Sequence, residues 1–252
     1  MTPPPLPPAF LAPGHVAHRG LHGPGRPENT LAAFEAAAAA GYAIELDVQI
    51  SLDGVAMAFH DATLDRLTAR TGPVSRLSSA MLRRIPVAGT DQTIPSLRDV
   101  LDRIDGRVPI LVEVKDQHGA LGEGPGRLER AVAASLGGYR GAVAVMSFNP
   151  HSVALLARLR PDTPRGLTTA RFDEATWPAL PASTRARLAA IADAEAVGAA
   201  FVSHEAEALA MDRVAELRAA GLPVLAWTVR SPEAEARARR YADAVTFEGY
   251  LP

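Results

Sequence analysis

Ala43-Ile-Glu-Leu-Asp-Val-Gln49 and Pro109-Ile-Leu-Val-Glu-Val-Lys115 decide the reading of this chain. Each is a short run of aliphatic residues interrupted by acids: Glu45 and Asp47 in the first, Glu113 in the second. Residues two apart on a strand face the same side. Each run therefore predicts a strand with polar groups gathered on one face. Working outward, similar short runs recur at 15–18, 142–147, 165–168, 200–203, 223–228 and 244–247. Most are apolar on both faces, as strands of a buried parallel sheet are. Amphipathic helical stretches lie between them. Thr30–Ala40 places Leu31, Phe34 and Ala38 on one face and stops at Gly41, and Leu97–Ile104 opens after Ser96 as N-cap. Leu128–Leu136, Ser152–Leu159 and Met211–Ala220 follow the same pattern. Eight strands over residues 15–252 leave roughly thirty residues per strand-helix unit, which predicts an α/β fold, a (β/α)8 TIM barrel. A doubly wound open sheet would need a glycine-rich phosphate loop after its first strand, and none is there.

The chain has 252 residues, 48% of them hydrophobic and 21% charged. That is a composition for burying a core, unlike a disordered chain. No proline or glycine linker divides it, so a single barrel domain is expected over residues 15–252. Residues 1–14 read as a proline-rich arm. Residues 51–93, turn-rich and arginine-rich after the hairpin Ile50-Ser-Leu-Asp-Gly-Val55, read as an insert forming a small lobe over one barrel end. A net charge of -2 and a pI near 6.4 argue against a general nucleic-acid surface. Having no cysteine, the chain has no disulfide, thiol catalysis or thiolate metal site. No apolar run reaches the roughly 18 to 20 residues of a membrane span. Pro3, Pro4, Pro5, Pro7 and Pro8 preclude a signal helix, so a cytoplasmic location is expected. The oligomeric state is not legible.

A barrel of this kind carries its site at the carboxyl ends of the strands. His18-Arg19-Gly20, Glu45-Leu46-Asp47, His60-Asp61, Glu113-Val114-Lys115, Ser147-Phe148-Asn149 and Trp227-Thr228 all fall there. Two carboxylates aimed into a barrel repel, and their desolvation is costly unless a cation joins them. With Glu113 as a third oxygen ligand, Glu45 and Asp47 predict a site for a hard divalent ion, Mg²⁺ or Ca²⁺, with Mn²⁺ as a further option. The competing reading is a metal-free network of these acids with Arg19 and Lys115. Lys115 is the one lysine among 26 lysines and arginines, which suggests a place that needs a compact ammonium. His18 and His60 supply a titrating pair for general acid and base work. Asp61 either orients His60 or caps a turn. Arg19 and Lys115 are candidates to neutralise phosphate oxygens.

The motifs His18-Arg-Gly, Pro27-Glu-Asn-Thr30, Glu45-Leu-Asp47, Asp53-Gly54, His60-Asp61 with Leu64 and Thr68, Ile94-Pro-Ser-Leu97, Glu113-Val-Lys115, Ser147-Phe148 and Trp227-Thr-Val229 stand in one order. In that order they resemble the glycerophosphodiester phosphodiesterases, over nearly the whole chain after residue 14. The resemblance implies metal-dependent hydrolysis of small-molecule glycerophosphodiesters to sn-glycerol 3-phosphate and an alcohol, a step of lipid and glycerol metabolism. It implies that His18 and His60 are the acid/base pair, that Glu45, Asp47 and Glu113 hold the metal, and that Arg19 and Lys115 bind phosphate. Trp227 would pack against the glycerol. Glu28 and Asn29 would support the site from behind or cap the first helix, the cap being favoured for Asn29. Arg230 stands where the family often has asparagine, Glu248 where aspartate is common, and the segment after Lys115 is longer than usual. These departures touch the rim and bear on the alcohol group, which the sequence does not give. His204 is expected either to reach the site or to lie on the surface. Two alternatives remain: a lysophospholipase D-like action, for which the sequence offers no aromatic cluster or basic amphipathic helix, and a non-catalytic barrel binding module.

Overall fold

The computed structural model describes residues 3–252. The aliphatic runs become β1 (His15–Ala17), β2 (Ala43–Ile50), β3 (Ala56–Ala58), β4 (Ile110–Val114), β5 (Val143–Ser147), β6 (Arg165–Thr169), β7 (Phe201–Glu205), β8 (Val224–Val229) and β9 (Ala244–Phe247). Every residue of β2 and β4 is buried, because both faces are covered. The sheet runs β1-β9-β8-β7-β6-β5-β4-β2-β3, and β1 also pairs with β2. Eight parallel strands thus close on themselves as a TIM barrel, and β3 is an antiparallel addition at Ile50↔Ala56.

The helices are α1 (Leu31–Ala39), α2 (Ser79–Leu82), α3 (Leu97–Ile104), α4 (Arg127–Ser135), α5 (Pro150–Leu159), α6 (Ala182–Ala189), α7 (Asp212–Ala219) and α8 (Pro232–Ala238). Ser96 caps α3 in a full capping box with Asp99. On α1 the fully buried residues are Ala33, Phe34 and Ala37, whereas Leu31 and Ala38 are partly exposed. Leu31 and Ala38 still pack against the core that Phe34 enters, so the expected face holds and Ala37 widens it. Gly20 sets a close approach beside it, since an added Cβ there would sit 2.8 Å from the Ala33 carbonyl carbon. Only the smallest residues fit that contact. None of the helices among the described residues is long and apolar enough to cross a membrane.

Outward-facing Ile44, Leu46 and Val112 pack on Phe34, Leu97 and Leu101 of the helix layer. Inside the barrel, Val16, Ala43, Leu111, Phe201, Leu225 and Ala244, all at strand starts, join Leu6 and Phe10 from the proline-rich segment. Phe10 is fully buried at that amino-terminal end. Apolar filling therefore closes the bottom, and polar side chains are left at the top. From β3 to the start of α3, Met57, Phe59, Leu64, Val74, Leu82 and Ile94 form a small core of their own.

Candidate active site

Alternation along β2 turns Glu45 and Asp47 to the barrel axis, and the β2–β4 register sets Asp47 opposite Glu113. One oxygen from each of the three carboxylates lies within 4.8 Å of the others. Their exposures are 1%, 1% and 6%. Lys115 Nζ stands 2.6 Å from Glu113 Oε1 and 2.9 Å from Asp47 Oδ1. Arg19 is in the left-handed region at φ 54°, which lets its backbone N–H donate to Glu45 Oε2 at 2.9 Å. Its Nε lies 3.2 Å from Asp47 Oδ2, and its Nη1 donates to Glu28 Oε1 at 2.8 Å.

Asn29 also has positive φ, at 55°, and its amide holds Asp47 twice. Nδ2 donates to Asp47 Oδ2 at 2.9 Å and Oδ1 accepts from the Asp47 N–H at 3.1 Å. This corrects the helix-cap reading of Asn29. The N-cap of α1 is Thr30, whose hydroxyl accepts from the Ala33 N–H.

Burial, together with the Asp47 and Glu113 charges, pushes the Glu45 carboxyl well above its usual range. Burial would raise Asp47 too, but Lys115, His60, Arg19 and His18 outweigh it and hold Asp47 low. Lys115 is held protonated against its own burial by Asp47 and Glu113. Three buried carboxylates thus face two cations, a deficit of positive charge that burial makes costly, and the raised Glu45 carboxyl is its consequence. A divalent cation with hard oxygen ligands answers the same deficit, so these residues fit one.

His18 follows β1 and its Nδ1 lies 2.5 Å from Glu248 Oε2, which leaves Nε2 uncommitted. Arg230 Nε donates to the other Glu248 oxygen at 2.7 Å, and His22 Nε2 stands 3.4 Å away. Burial would raise the Glu248 carboxyl, yet its bonds to His18 and His22 hold it far below the usual range. His60 lies after β3, with Nδ1 2.6 Å from Asp61 Oδ1. Burial lowers the His60 pKa, Asp47 opposes that, and Lys115 and Arg19 reinforce it. The Asp61 carboxylate thus goes to the His60 ring and to Arg66, whose Nε donates to it at 2.6 Å. Arg66 escaped the sequence reading, although it lies between the Leu64 and Thr68 of a recognised motif.

His204 is fully buried, and its Nδ1 is 2.7 Å from Thr169 Oγ1. Alternation on β7 puts Phe201 and Ser203 inside and turns His204, like Val202, to the helix layer. It therefore lies neither at the site nor on the surface, correcting both expectations.

A cavity of about 500 Å³ is lined by His60, Glu113 and Lys115 together with Leu121, Phe148, Trp177 and Trp227. Trp227 Nε1 donates to the carbonyls of Ser203 at 3.0 Å and Thr169 at 3.2 Å. Phe148 meets the Trp227 ring edge-on at 5.4 Å and Trp177 at 5.2 Å. An aromatic cluster is thus present, contrary to the reading of the sequence. Its members come from β8 and from the loops after β5 and β6, too far apart in the chain to look like a group.

The profile of the glycerophosphoryl diester phosphodiesterase family matches residues 18–247. A glycerophosphodiester phosphodiesterase from Bacillus altitudinis is 33% identical over 154 residues, which is 58% of this chain and 62% of that protein. The chain spans less than two thirds of the length of the first curated relatives it matches, 65% of one from Bacillus subtilis. Among solved structures, a glycerophosphodiester phosphodiesterase from Agrobacterium tumefaciens superposes with a TM-score of 0.68 at 26% identity, covering 93% of this chain and 96% of that one. A phosphodiesterase from Oleispira antarctica, solved with sn-glycerol 3-phosphate, shares the fold with a TM-score of 0.77 at 24% identity, covering 95% and 94%.

Proposed function

Because this chain belongs to the glycerophosphoryl diester phosphodiesterase family, we propose that it is a metal-dependent phosphoric diester hydrolase releasing sn-glycerol 3-phosphate and an alcohol. One observation carries the reading. At the carboxyl ends of the barrel strands, Glu45, Asp47 and Glu113 bring carboxylate oxygens within 4.8 Å of one another. His18 and His60 flank them, each tied through Nδ1 to a carboxylate.

Glu45, Asp47 and Glu113 would hold the ion, Mg²⁺, Ca²⁺ or Mn²⁺, which when bound would supply positive charge to the phosphate oxygens and make a nucleophilic oxygen more acidic. Arg19 and Lys115 add fixed positive charge at the same place. An acceptor already occupies Nδ1 of each histidine, so Nε2 is the atom that exchanges protons. In-line displacement at phosphorus places entering and leaving oxygens on opposite sides. One histidine takes the proton of the entering oxygen while the bond from phosphorus to the leaving oxygen breaks. The other gives its proton to that oxygen, which departs as an alcohol. Asn29 keeps Asp47 oriented, and the Trp227 ring bounds the space for the glycerol.

A panel of glycerophosphodiesters tests this, with sn-glycerol 3-phosphate as the product measured in chelator and after cation is returned. Release of free phosphate in place of sn-glycerol 3-phosphate, or no turnover of any member with cation present, would contradict it. The wall of Leu121, Phe148, Trp177 and Trp227 favours a second reading, lysophospholipase D-like cleavage, because its apolar surface could cover an acyl chain. Faster turnover of lysophosphatidylcholine than of glycerophosphocholine would select that reading.

A further inference from the structure

Arg66 lies in the loop after His60, outside every helix and strand, and its side chain is 46% exposed. As an ordinary surface ion pair it would add little to stability. Its bonding is not ordinary. One edge of the guanidinium donates Nε to Asp61 Oδ2 at 2.6 Å and Nη2 to Asp61 Oδ1 at 3.2 Å. The other edge donates Nη1 to Glu28 Oε2 at 3.0 Å and Nη2 to Glu28 Oε1 at 2.7 Å. Two forked pairs on one planar group fix the relative position of both carboxylates.

Each carboxylate in turn holds a member of the proposed site. Asp61 Oδ1 lies 2.6 Å from His60 Nδ1, and Glu28 Oε1 accepts from Arg19 Nη1 at 2.8 Å. Burial would raise the Asp61 carboxyl, but the Arg66 and His60 bonds outweigh it, so it is an ionised acceptor and His60 Nδ1 must be the donor. Arg19, Glu28, Arg66, Asp61 and His60 therefore form one unbroken chain, running from the loop after β1 to the loop after β3. Without Arg66, Asp61 would keep only the ring it is meant to hold. Glu28 would keep only an arginine that it shares with Asp47.

We propose that Arg66 is a positioning residue: it clamps Asp61 and Glu28 so that the His60 imidazole and the Arg19 guanidinium are held in one fixed arrangement. This rests on the phosphodiesterase reading above for its kinetic consequence and on the hydrogen bonds alone for its geometric one. A lysine cannot substitute, because a point charge has no second edge with which to fork.

The test compares wild type with Arg66→Met, Arg66→Lys and, as a control, Arg213→Met. Arg213 also binds a carboxylate, its Nη2 donating to both Glu195 oxygens at 2.6 and 2.8 Å, but it lies on α7 and touches none of these residues. On glycerophosphocholine with cation present, Arg66→Met should lose about 10- to 100-fold in kcat, as losses of such supporting bonds do. Its KM should stay within about threefold, its thermal midpoint should match that of the control, and Arg66→Lys should recover little. Adding Asp61→Asn to Arg66→Met should cost far less than the product of the separate losses, since both act through His60. Imidazole ¹⁵N spectra should show His60 as the Nδ1–H tautomer in wild type and as a mixture in Arg66→Met. Wild-type kcat in Arg66→Met, a loss that follows thermal stability, or an unchanged His60 tautomer would overturn the proposal. A wild type without turnover would instead refute the phosphodiesterase reading, and the tautomer measurement would still decide the clamp.

Discussion

Lys115→Met keeps the length of the side chain and most of its apolar stem but deletes the charge. The ammonium lies 2.6 Å from Glu113 and 2.9 Å from Asp47, carboxylates that are only 6% and 1% exposed. Removing one partner of a buried ion pair costs about 3–5 kcal/mol, because the other charge is left uncompensated. At roughly 2–4 °C per kcal/mol for a chain of this size, Tm should fall by about 6–20 °C at pH 7 in chelator. The pH dependence has a definite sign. Asp47 is held low in the fold, so its part of the pair is present above the ordinary Asp value of about 3.9 and is lost as pH falls further. Lys115 is held high, so its part is complete below the ordinary Lys value of about 10.4 and fades only as pH rises beyond it. The gap between wild type and variant should therefore be widest across neutral pH and close under acid. Calorimetry in chelator from acid to mildly alkaline pH reads this directly, and adding a divalent cation should return much of the lost stability to the variant. A loss below about 1 kcal/mol at pH 7, well under the cost of an orphaned buried charge, would refute the reasoning.

His18→Ala and His60→Ala should each slow turnover by about 10² to 10⁴ with little change in Tm. A nitrophenyl ester, whose leaving group needs no proton, should rescue only the variant that has lost the acid, and equal rescue of both would exclude a division of labour. Asp53 accepts from Ser51 Oγ at 2.6 Å and from the Ser79 N–H and Oγ at 2.8 Å each, bonds that lower its carboxyl to about 2. Its contribution is thus present above the ordinary value of about 3.9 and is lost as pH falls toward the folded value, so Asp53→Asn should flatten the acid limb of the Tm profile there. Phe10→Ala should cost about 3–5 kcal/mol in urea denaturation, since the ring is fully buried at the barrel bottom.

The barrel was legible because its strands are buried on both faces and its acids keep strict alternation, so β2 and β4 give both the fold and the carboxylate cluster. The helices are less uniform. Among its buried positions α6 has only Leu188 and α8 only Ala238, so neither shows the apolar stripe that periodicity detects. On α1 the pattern gives Leu31, Phe34 and Ala38, which do meet the core, but it does not give Ala33, whose burial goes with the close approach of Gly20. Asn29 looked like a cap since its positive φ, which turns the amide onto Asp47, has no signature in composition. Arg66 and the aromatic wall are products of loops brought together by closure of the barrel, a long-range event that a local pattern does not record. His204 depended on strand parity, which becomes readable only once the last residues of β7 are known.

The central claim, that Glu45, Asp47 and Glu113 hold a divalent cation on which hydrolysis depends, is tested most directly by calorimetric titration of Mg²⁺, Ca²⁺ and Mn²⁺ into the chelator-treated protein and its Glu113→Gln variant, with glycerophosphocholine turnover measured on the same samples. The account predicts that one ion binds per chain, that turnover appears in proportion to occupancy, and that Glu113→Gln weakens both together. Full turnover with no bound cation, or binding that ignores Glu113→Gln, would contradict it.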